Sequence, residues 1–493
     1  MSTMTKRMFL GLDLGTTNVK AVVCAADGSV VARGSAPCEV RYVGENGVEQ
    51  DIEDIWSAAL TAIREAGETC DLPGVRAVGV SSQGGALQML DGEEKPVGPV
   101  IGWMDGRAGP YVRELNEELG REWFVRHIGH GGFRIGAAHL LRFREESPEL
   151  AEPPHRMGFV GDVIVGRLCG RRAHDPTSLS LAMLLNPRER RADPELLDKI
   201  GLTEDRLPEL LPATEAAGVL TPEAAELTGL PAGIPVSPAV HDQYAAALGC
   251  GAVHAGDVMF GAGTAWVLLA VAGDEPGREG AVLSAGFTCP HPVDGLYGRI
   301  LSMANGGSSF RWAVQTLGLD ELSGAELDAL IEEAPAGCEG LRFRPLLAPG
   351  GGMGLPRGTA GRLDGIRLAH TRAHVLRAVV EGLAMELTRY VRLLEEQGTT
   401  AERLIMCGGA ADSAVTPRIV ADAVGLPVAC IAEGEVSALG GAVLARALVD
   451  DSRELAALSE TMRPEERLLN PGPPRGLYGE LFREYRASLS KST

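Results

Sequence analysis

A chain of 493 residues is long enough for roughly two to four domains of about 150 residues, so one small module is excluded. Its 46 lysines and arginines face 66 aspartates and glutamates, a formal net charge of −20 whose mean field repels polyanions and argues against a nucleic-acid-coating protein. Hydrophobic residues at 45%, charged residues at 23% and 64 glycines describe a globular, loop-rich chain rather than a disordered one.

The first residues run from a single apolar burst straight into a glycine–aspartate turn, without the apolar core or cleavage site of a signal peptide. Residues 8–12 read as a strand, 13–18 as a tight turn, 19–24 as a second strand, and 29–33, after the Ala26-Asp27-Gly28 turn, as a third. A helix follows over 51–66, capped by aspartate and carrying Ile52, Ile55, Trp56, Ala59 and Ile63 at helical spacing, and 75–82 returns as a strand. Antiparallel strands followed by helix and strand make an α/β pattern. The proline-punctuated stretch 211–233 leads to a boundary shortly after Gly251, and a second block opens with strand 256–260, the turn Gly261-Ala262-Gly263-Thr264 and strand 265–271. Each block thus begins with a Gly-Thr hairpin, which points to an internal duplication. Later come a long amphipathic helix at 370–397, a buried strand at 403–407, a turn at Gly408-Gly409-Ala410-Ala411, a helix at 416–424 and an alanine-rich helix at 437–449. The tail after Asp450 is expected to wrap the surface. No window of about 18 apolar residues occurs, so no membrane span is expected. The nine cysteines (Cys24, Cys38, Cys70, Cys169, Cys250, Cys289, Cys338, Cys407, Cys430) are scattered and never spaced Cys-x-x-Cys, which speaks for a reducing compartment over disulfides or structural zinc.

Neither a Gly-x-x-x-x-Gly-Lys-Ser/Thr loop nor a Gly-x-Gly-x-x-Gly between strand and helix is present. Three glycine turns after strands remain: Asp13-Leu14-Gly15-Thr16-Thr17-Asn18, Gly261 to Thr264, and Gly408-Gly409-Ala410-Ala411-Asp412-Ser413. Glycine lets backbone N–H groups approach an anion with no Cβ in the way, and neighbouring hydroxyls donate as well, so such turns can cradle phosphates. Three in one chain fit a nucleotide better than three unrelated loops.

The run Gly11-Leu12-Asp13-Leu14-Gly15-Thr16-Thr17-Asn18-Val19-Lys20, the Gly-Thr and Gly-Gly-Ala turns, and Glu435-Val436-Ser437-Ala438-Leu439-Gly440-Gly441-Ala442 resemble the FGGY family of carbohydrate kinases. Val80-Ser81-Ser82-Gln83, Trp103-Met104-Asp105-Gly106-Arg107 and Asn305-Gly306-Gly307 through Trp312 fall in the family's order, as do the segments from His370 to His374 and Glu381-Gly382, so the resemblance covers nearly the whole chain. It implies an actin-like (ribonuclease H-like) ATPase fold: α/β, two domains, each a mixed sheet flanked by helices, around a central cleft. The N-terminal domain, 1–251, would bind sugar and phosphate and carry the base at its end, and the C-terminal domain, 252–493, would bind ATP.

By the same resemblance Asp242, in Val240-His241-Asp242-Gln243-Tyr244, is the catalytic base, although an aspartate there also reads as the N-cap of a helix. Asp13 would stand near the phosphates and Mg²⁺, with Gly15, Thr16, Thr17, Asn18 and Lys20 around it. Gly263 and Thr264 would meet the phosphates from the other domain, and Gly408, Gly409, Ala410 and Ser413 would lie on the adenosine side. Gln83, Trp103, Asp105 and Gln243 are expected on the sugar, since an indole face packs on C–H groups while carboxylate and amide bond hydroxyls; Asp105 reads equally as a turn residue. Where xylulokinases continue this strand with methionine and histidine, and glycerol kinases with arginine and glutamate, this chain has Gly84-Gly85.

The expectation is a cytoplasmic, ATP- and Mg²⁺-dependent kinase acting on a ketopentose such as D-xylulose, with neither nucleic acid nor membrane as partner and with a homodimer as the assembly frequent among relatives. Its rivals are another acceptor (glycerol, erythritol, a ketohexose or a sugar acid) and a non-catalytic nucleotide-binding actin-like protein. His370 and His374 are spaced i, i+4 but lack the accompanying glutamate of a zinc helix, and His127 and His130 read as a flexible loop near the cleft rather than a ligand pair.

Overall fold

The computed structural model describes residues 7–273, 286–348, 352–356, 358–450, 452 and 454–489. In the first half, β1 (Met8–Leu14), β2 (Asn18–Ala25) and β3 (Val30–Pro37) form an antiparallel meander. Helix α1 (Ile52–Gly67) starts where the Asp51 carboxylate accepts from the Glu53 N–H, and it buries Ile52, Ile55, Ala59 and Ile63 against the meander. The chain then returns as β4 (Val75–Ser82), parallel to β1. Much later β5 (Pro235–His241) adds in parallel to β4 and feeds directly into α2 (Asp242–Cys250). The near-continuous apolar runs of β1 and β4 reflect burial on both faces.

The second half repeats the plan. Strands β6 (Asp257–Ala262) and β7 (Trp266–Ala272) form a hairpin, β8 (Phe287–Pro290) pairs antiparallel with β9 (Tyr297–Met303), and β9 pairs antiparallel with β7. After the long helix α3 (Arg372–Glu396), β10 (Arg403–Cys407) lies parallel to β6; α4 (Thr416–Val424) leads to β11 (Val428–Ile431), parallel to β10, and then to α5 (Val436–Ala447). The order β3-β2-β1-β4-β5 in one sheet therefore recurs as β9-β7-β6-β10-β11 in the other, with the same parallel and antiparallel pairings. Two Gly-Thr hairpins in equivalent places of two equivalent sheets are what a duplication leaves.

A further sheet absent from the sequence reading is built into the first half from Arg41–Val43, Gly47–Gln50, Pro96–Ile101, Leu87–Leu90 and Arg156–Phe159, all antiparallel. It carries the segment that follows Ile101 to the edge of the main sheet. The tail also departs from expectation. Rather than wrapping the surface, it forms α6 (Leu455–Met462), β12 (Glu466–Leu469) on the edge of β11, and α7 (Arg475–Leu489), and it buries Leu455, Leu458, Tyr478 and Tyr485.

Helix α5 belongs to the second half in sequence but packs on β1, β4 and α2 of the first. The approach is backbone to backbone: a Cβ on Gly440 would stand 1.7 Å from the Ala245 carbonyl oxygen, and one on Gly11 would stand 1.8 Å from that of Ala438. The resulting core is continuous across the halves, joining Phe9, Val22 and Leu248 to Met259, Ile405, Leu439 and Val443.

Candidate active site

The parallel register of the first sheet aligns three strand ends: Asp13 with Ser81 and Val240, and Leu14 with Ser82 and His241. The carboxyl edge of such a sheet is where a doubly wound fold binds its ligands. Ser81 Oγ donates to Asp13 Oδ1 at 2.8 Å. Burial, with the charge of Asp242 added to it, pushes the Asp13 carboxyl up to about 7, while the hydroxyl of Ser81 and the ammonium of Lys20, paired opposite it on β2, hold it back. Asp242 opens α2, with His241 rather than the aspartate itself at the N-cap position. Its side chain is 27% exposed and lies 3.1 Å from His241 Nε2. Burial pushes its carboxyl up to about 6, against hydrogen bonds from Gln243 that favour the charged form.

The β1–β2 turn is held from below. The Thr16 hydroxyl donates to Gln83 Oε1 at 3.1 Å and accepts from Trp103 Nε1 at 3.1 Å, Gln83 Nε2 donates to Gln50 Oε1 at 3.0 Å, and Gln50 Nε2 returns to the Thr16 carbonyl at 2.9 Å. Thr17 and Asn18 are exposed, and the Trp103 ring remains 44% exposed beside the turn. Gln83, by contrast, is buried with its amide engaged at both ends, so it supports Thr16 rather than offering a free contact.

In the second half, the exposed Gly263 and Thr264 form the β6–β7 turn, and their carbonyls accept from Gly307 and Ser308 at the start of the helix Gly307–Thr316. Gly408 ends β10 against the same turn, where a Cβ would stand 3.1 Å from the Ala262 carbonyl carbon, and Gly409–Ala411 follows as one 3₁₀ turn. The three glycine turns thus form two clusters, one per sheet.

Beyond Gln83, three further expectations are corrected. Asp105 is not a sugar contact: its side chain is fully buried and accepts from the Val48 N–H and from the backbone and guanidinium of Arg107, which also pairs with Glu49. Ser413 caps the start of α4, accepting from the Val415 and Thr416 N–H groups while donating to Asp328, so its hydroxyl is consumed locally. His127 and His130 are packed rather than loose. The first lies on the helix Arg113–Ile128, stacked on Trp123 and 2.9 Å from Asp193, and the second stacks on Phe287 of β8. Ser81, Gln50 and His241 are the residues that went unassigned from sequence. Ser81 was accessible through the pairing of its strand with β1, while Gln50 sits at the end of a strand too short to read.

Residues 8–249 match the N-terminal domain of the FGGY family of carbohydrate kinases, and residues 258–448 match its C-terminal domain. The chain belongs to the FGGY family. Among curated relatives it is 29% identical over 448 residues to an L-fuculokinase from Salmonella typhi (89% of this chain, 92% of the relative). It is 27% identical over 456 residues to a xylulose kinase from Escherichia coli strain K12, covering 92% of each chain. A solved xylulose kinase from Rhodospirillum rubrum superposes with a TM-score of 0.89 at 27% identity over 98% of both chains. The protein is therefore an ATP-using carbohydrate kinase of actin-like two-domain fold, and the reading as a non-catalytic nucleotide-binding relative falls.

Proposed function

We propose that this FGGY kinase transfers the γ-phosphoryl group of ATP to a hydroxyl of a small ketose, with D-xylulose the leading acceptor, and that Asp242 is the base. The observation that carries the reading is the shared strand edge, where the two half-buried carboxylates of Asp242 and Asp13 meet the Gly15-Thr16-Thr17 turn. Phosphoryl transfer is mostly positioning and charge neutralisation. The acceptor oxygen attacks the γ-phosphorus, its proton passes to Asp242, and the bond to the β-phosphate oxygen breaks with its electron pair leaving on ADP. The N–H groups of the Gly15–Asn18 and Gly263–Thr264 turns, with Lys20, would hold the phosphates from two sides. The turn at Gly408, Gly409 and Ala410 would hold the adenosine end.

Among the described residues no group of three or more His, Cys, Asp or Glu side chains could hold a metal. That fits Mg²⁺, which is bound by one or two carboxylates with phosphates and waters rather than by a protein cage, and which would neutralise phosphate charge here. Asp13, with one oxygen held by Ser81, is the residue that would hold it.

On the acceptor side, Trp103 offers an exposed ring and Gln243 a half-exposed amide beside the base. A second reading, a 6-carbon ketose, is favoured by the similarity to L-fuculokinase. ADP release from Mg-ATP across D-xylulose, L-fuculose, glycerol and D-gluconate, with a no-sugar control, decides. Stimulation by D-xylulose above the others supports the first reading, preference for L-fuculose replaces it by the second, and glycerol or gluconate as the best acceptor overturns both.

A further inference from the structure

Gly84 and Gly85 leave no empty space. A Cβ on Gly84 would stand 2.4 Å from His241 Cδ2 and 2.8 Å from its Nε2, as well as 2.7 Å from Leu181 Cβ. The imidazole of His241 therefore occupies the room that a side chain at 84 would take. Its backbone is fixed as well, because the His241 N–H donates to Thr177 Oγ1 at 2.9 Å and that hydroxyl donates to the buried Asp175 at 2.6 Å. The ring is buried, tilted at 59° beside Tyr244, with Nε2 lying 3.1 Å from Asp242 Oδ1 while, among the described residues, Nδ1 has no hydrogen-bond partner.

Held 3.1 Å away, Asp242 Oδ1 can only accept, which would draw the imidazole proton to Nε2 and leave Nδ1 with the lone pair. Burial pushes the imidazole down to about 3, so the ring is neutral at working pH and acts on Asp242 as a hydrogen-bond donor rather than as a counter-charge. A donor on Oδ1, together with the hydrogen bonds from Gln243, would fix the carboxylate rotation that faces the incoming hydroxyl proton.

We propose that His241 is the positioning residue of the base, that it acts by donating Nε2–H to Asp242 Oδ1, and that the lack of a side chain at Gly84 is what admits its ring. The inference rests on Asp242 being the base. Two residues that look unrelated in sequence, a glycine pair after β4 and a histidine ending β5, then form one device: a side chain at 84 would expel the ring that orients the carboxylate.

The test measures kcat and KM for ATP and for the best acceptor of the panel above, and sugar-independent ADP release with water as acceptor, in His241→Ala, His241→Gln, Gly84→Ala, the double variant Gly84→Ala/His241→Ala and Asp242→Asn. His241→Ala should lower kcat about 10- to 100-fold, the range that loss of an orienting partner costs at comparable sites, with KM for ATP and the melting midpoint little changed. His241→Gln, whose amide can still donate, should recover part of the loss. Gly84→Ala should imitate His241→Ala in kcat, and the double variant, in which the added methyl no longer meets the ring but still presses on Leu181 Cβ, should lower the melting midpoint while its kcat stays no lower than that of His241→Ala alone. Unchanged kcat in His241→Ala overturns the proposal, as does a loss that glutamine does not relieve and that follows the melting midpoint. Near-normal turnover in Asp242→Asn removes the base itself, whereas an inactive Asp242→Asn beside a fully active His241→Ala removes only the histidine.

Discussion

Asp242 and Asp13 are two carboxyls whose environments raise their proton affinity for the same reason, burial, with the charge of Asp242 adding to that of its neighbour. As the proposed base Asp242 works deprotonated, and its folded-state value lies above the ordinary carboxylate value, so activity should be lost as pH falls through about 6 rather than through about 4. A pH–rate profile of kcat should show that acid limb, and a profile flat down to pH 5 would remove Asp242 from the rate. Replacing Asp242 with asparagine should abolish transfer and leave ATP binding, followed by nucleotide titration, largely intact. Asp105 belongs to another class. Asp105→Asn strips the charge from a buried carboxylate while Arg107 keeps Glu49, so we expect a loss of about 2 kcal/mol in chemical denaturation, below the ~3–5 kcal/mol for leaving a buried charge unpaired. At this scale the motifs of Asp13, Thr16 and Asp242 pointed to one place, and the aligned strand ends bring them to one sheet edge. The misreading of Asp105 and Ser413 has one physical source: whether a polar side chain faces the cleft or is consumed locally depends on a neighbour two or three residues away, Arg107 for one and the Thr416 N–H for the other, and spacing does not reveal that fold-back.

Elements were more legible than side chains because periodicity and capping are local. The strand at 75–82 and the helix at 416–424 are found where the hydrophobic pattern puts them, and Asp51 caps α1 as its position implies. What escaped were elements whose identity comes from partners. The strand Gly47–Gln50 has four residues and exists through its pairing, and α6 and α7 lie in a charged, proline-containing tail whose apolar residues are too sparse to announce a buried face. The contact of α5 with α2 shows what small residues at 440 and 245 are for. Gly440→Ala would drive a methyl into the Ala245 carbonyl, and because backbone cannot rotate away as a side chain can, we expect a loss of at least about 1–3 kcal/mol, read as a lowered urea midpoint. An unchanged midpoint would mean that the two helices separate freely.

For the whole molecule, the duplication was visible as two Gly-Thr hairpins, and the repeated strand order is its full expression. The cross-packing of α5 was not visible, because a helix's sequence shows that it has an apolar face but not which sheet will receive it. That arrangement separates topology from assembly. Helix α5 completes β1 and β4, and Arg446 at its end donates to the Ala26 carbonyl, a residue 420 positions earlier. A nascent chain leaving the ribosome would expose the strands of the first half, one face uncovered, until residues 436–447 had followed them out. Such long-range closure slows folding and leaves apolar surface open to aggregation in the meantime. A fragment ending at residue 251 should therefore fail to give a cooperative unfolding transition by circular dichroism and should regain one when 252–493 is supplied in trans; a fragment that folds alone would show that α5 is dispensable to the first sheet. The plan repeats from one half to the other, but the first sheet cannot be covered until a helix of the second has been made.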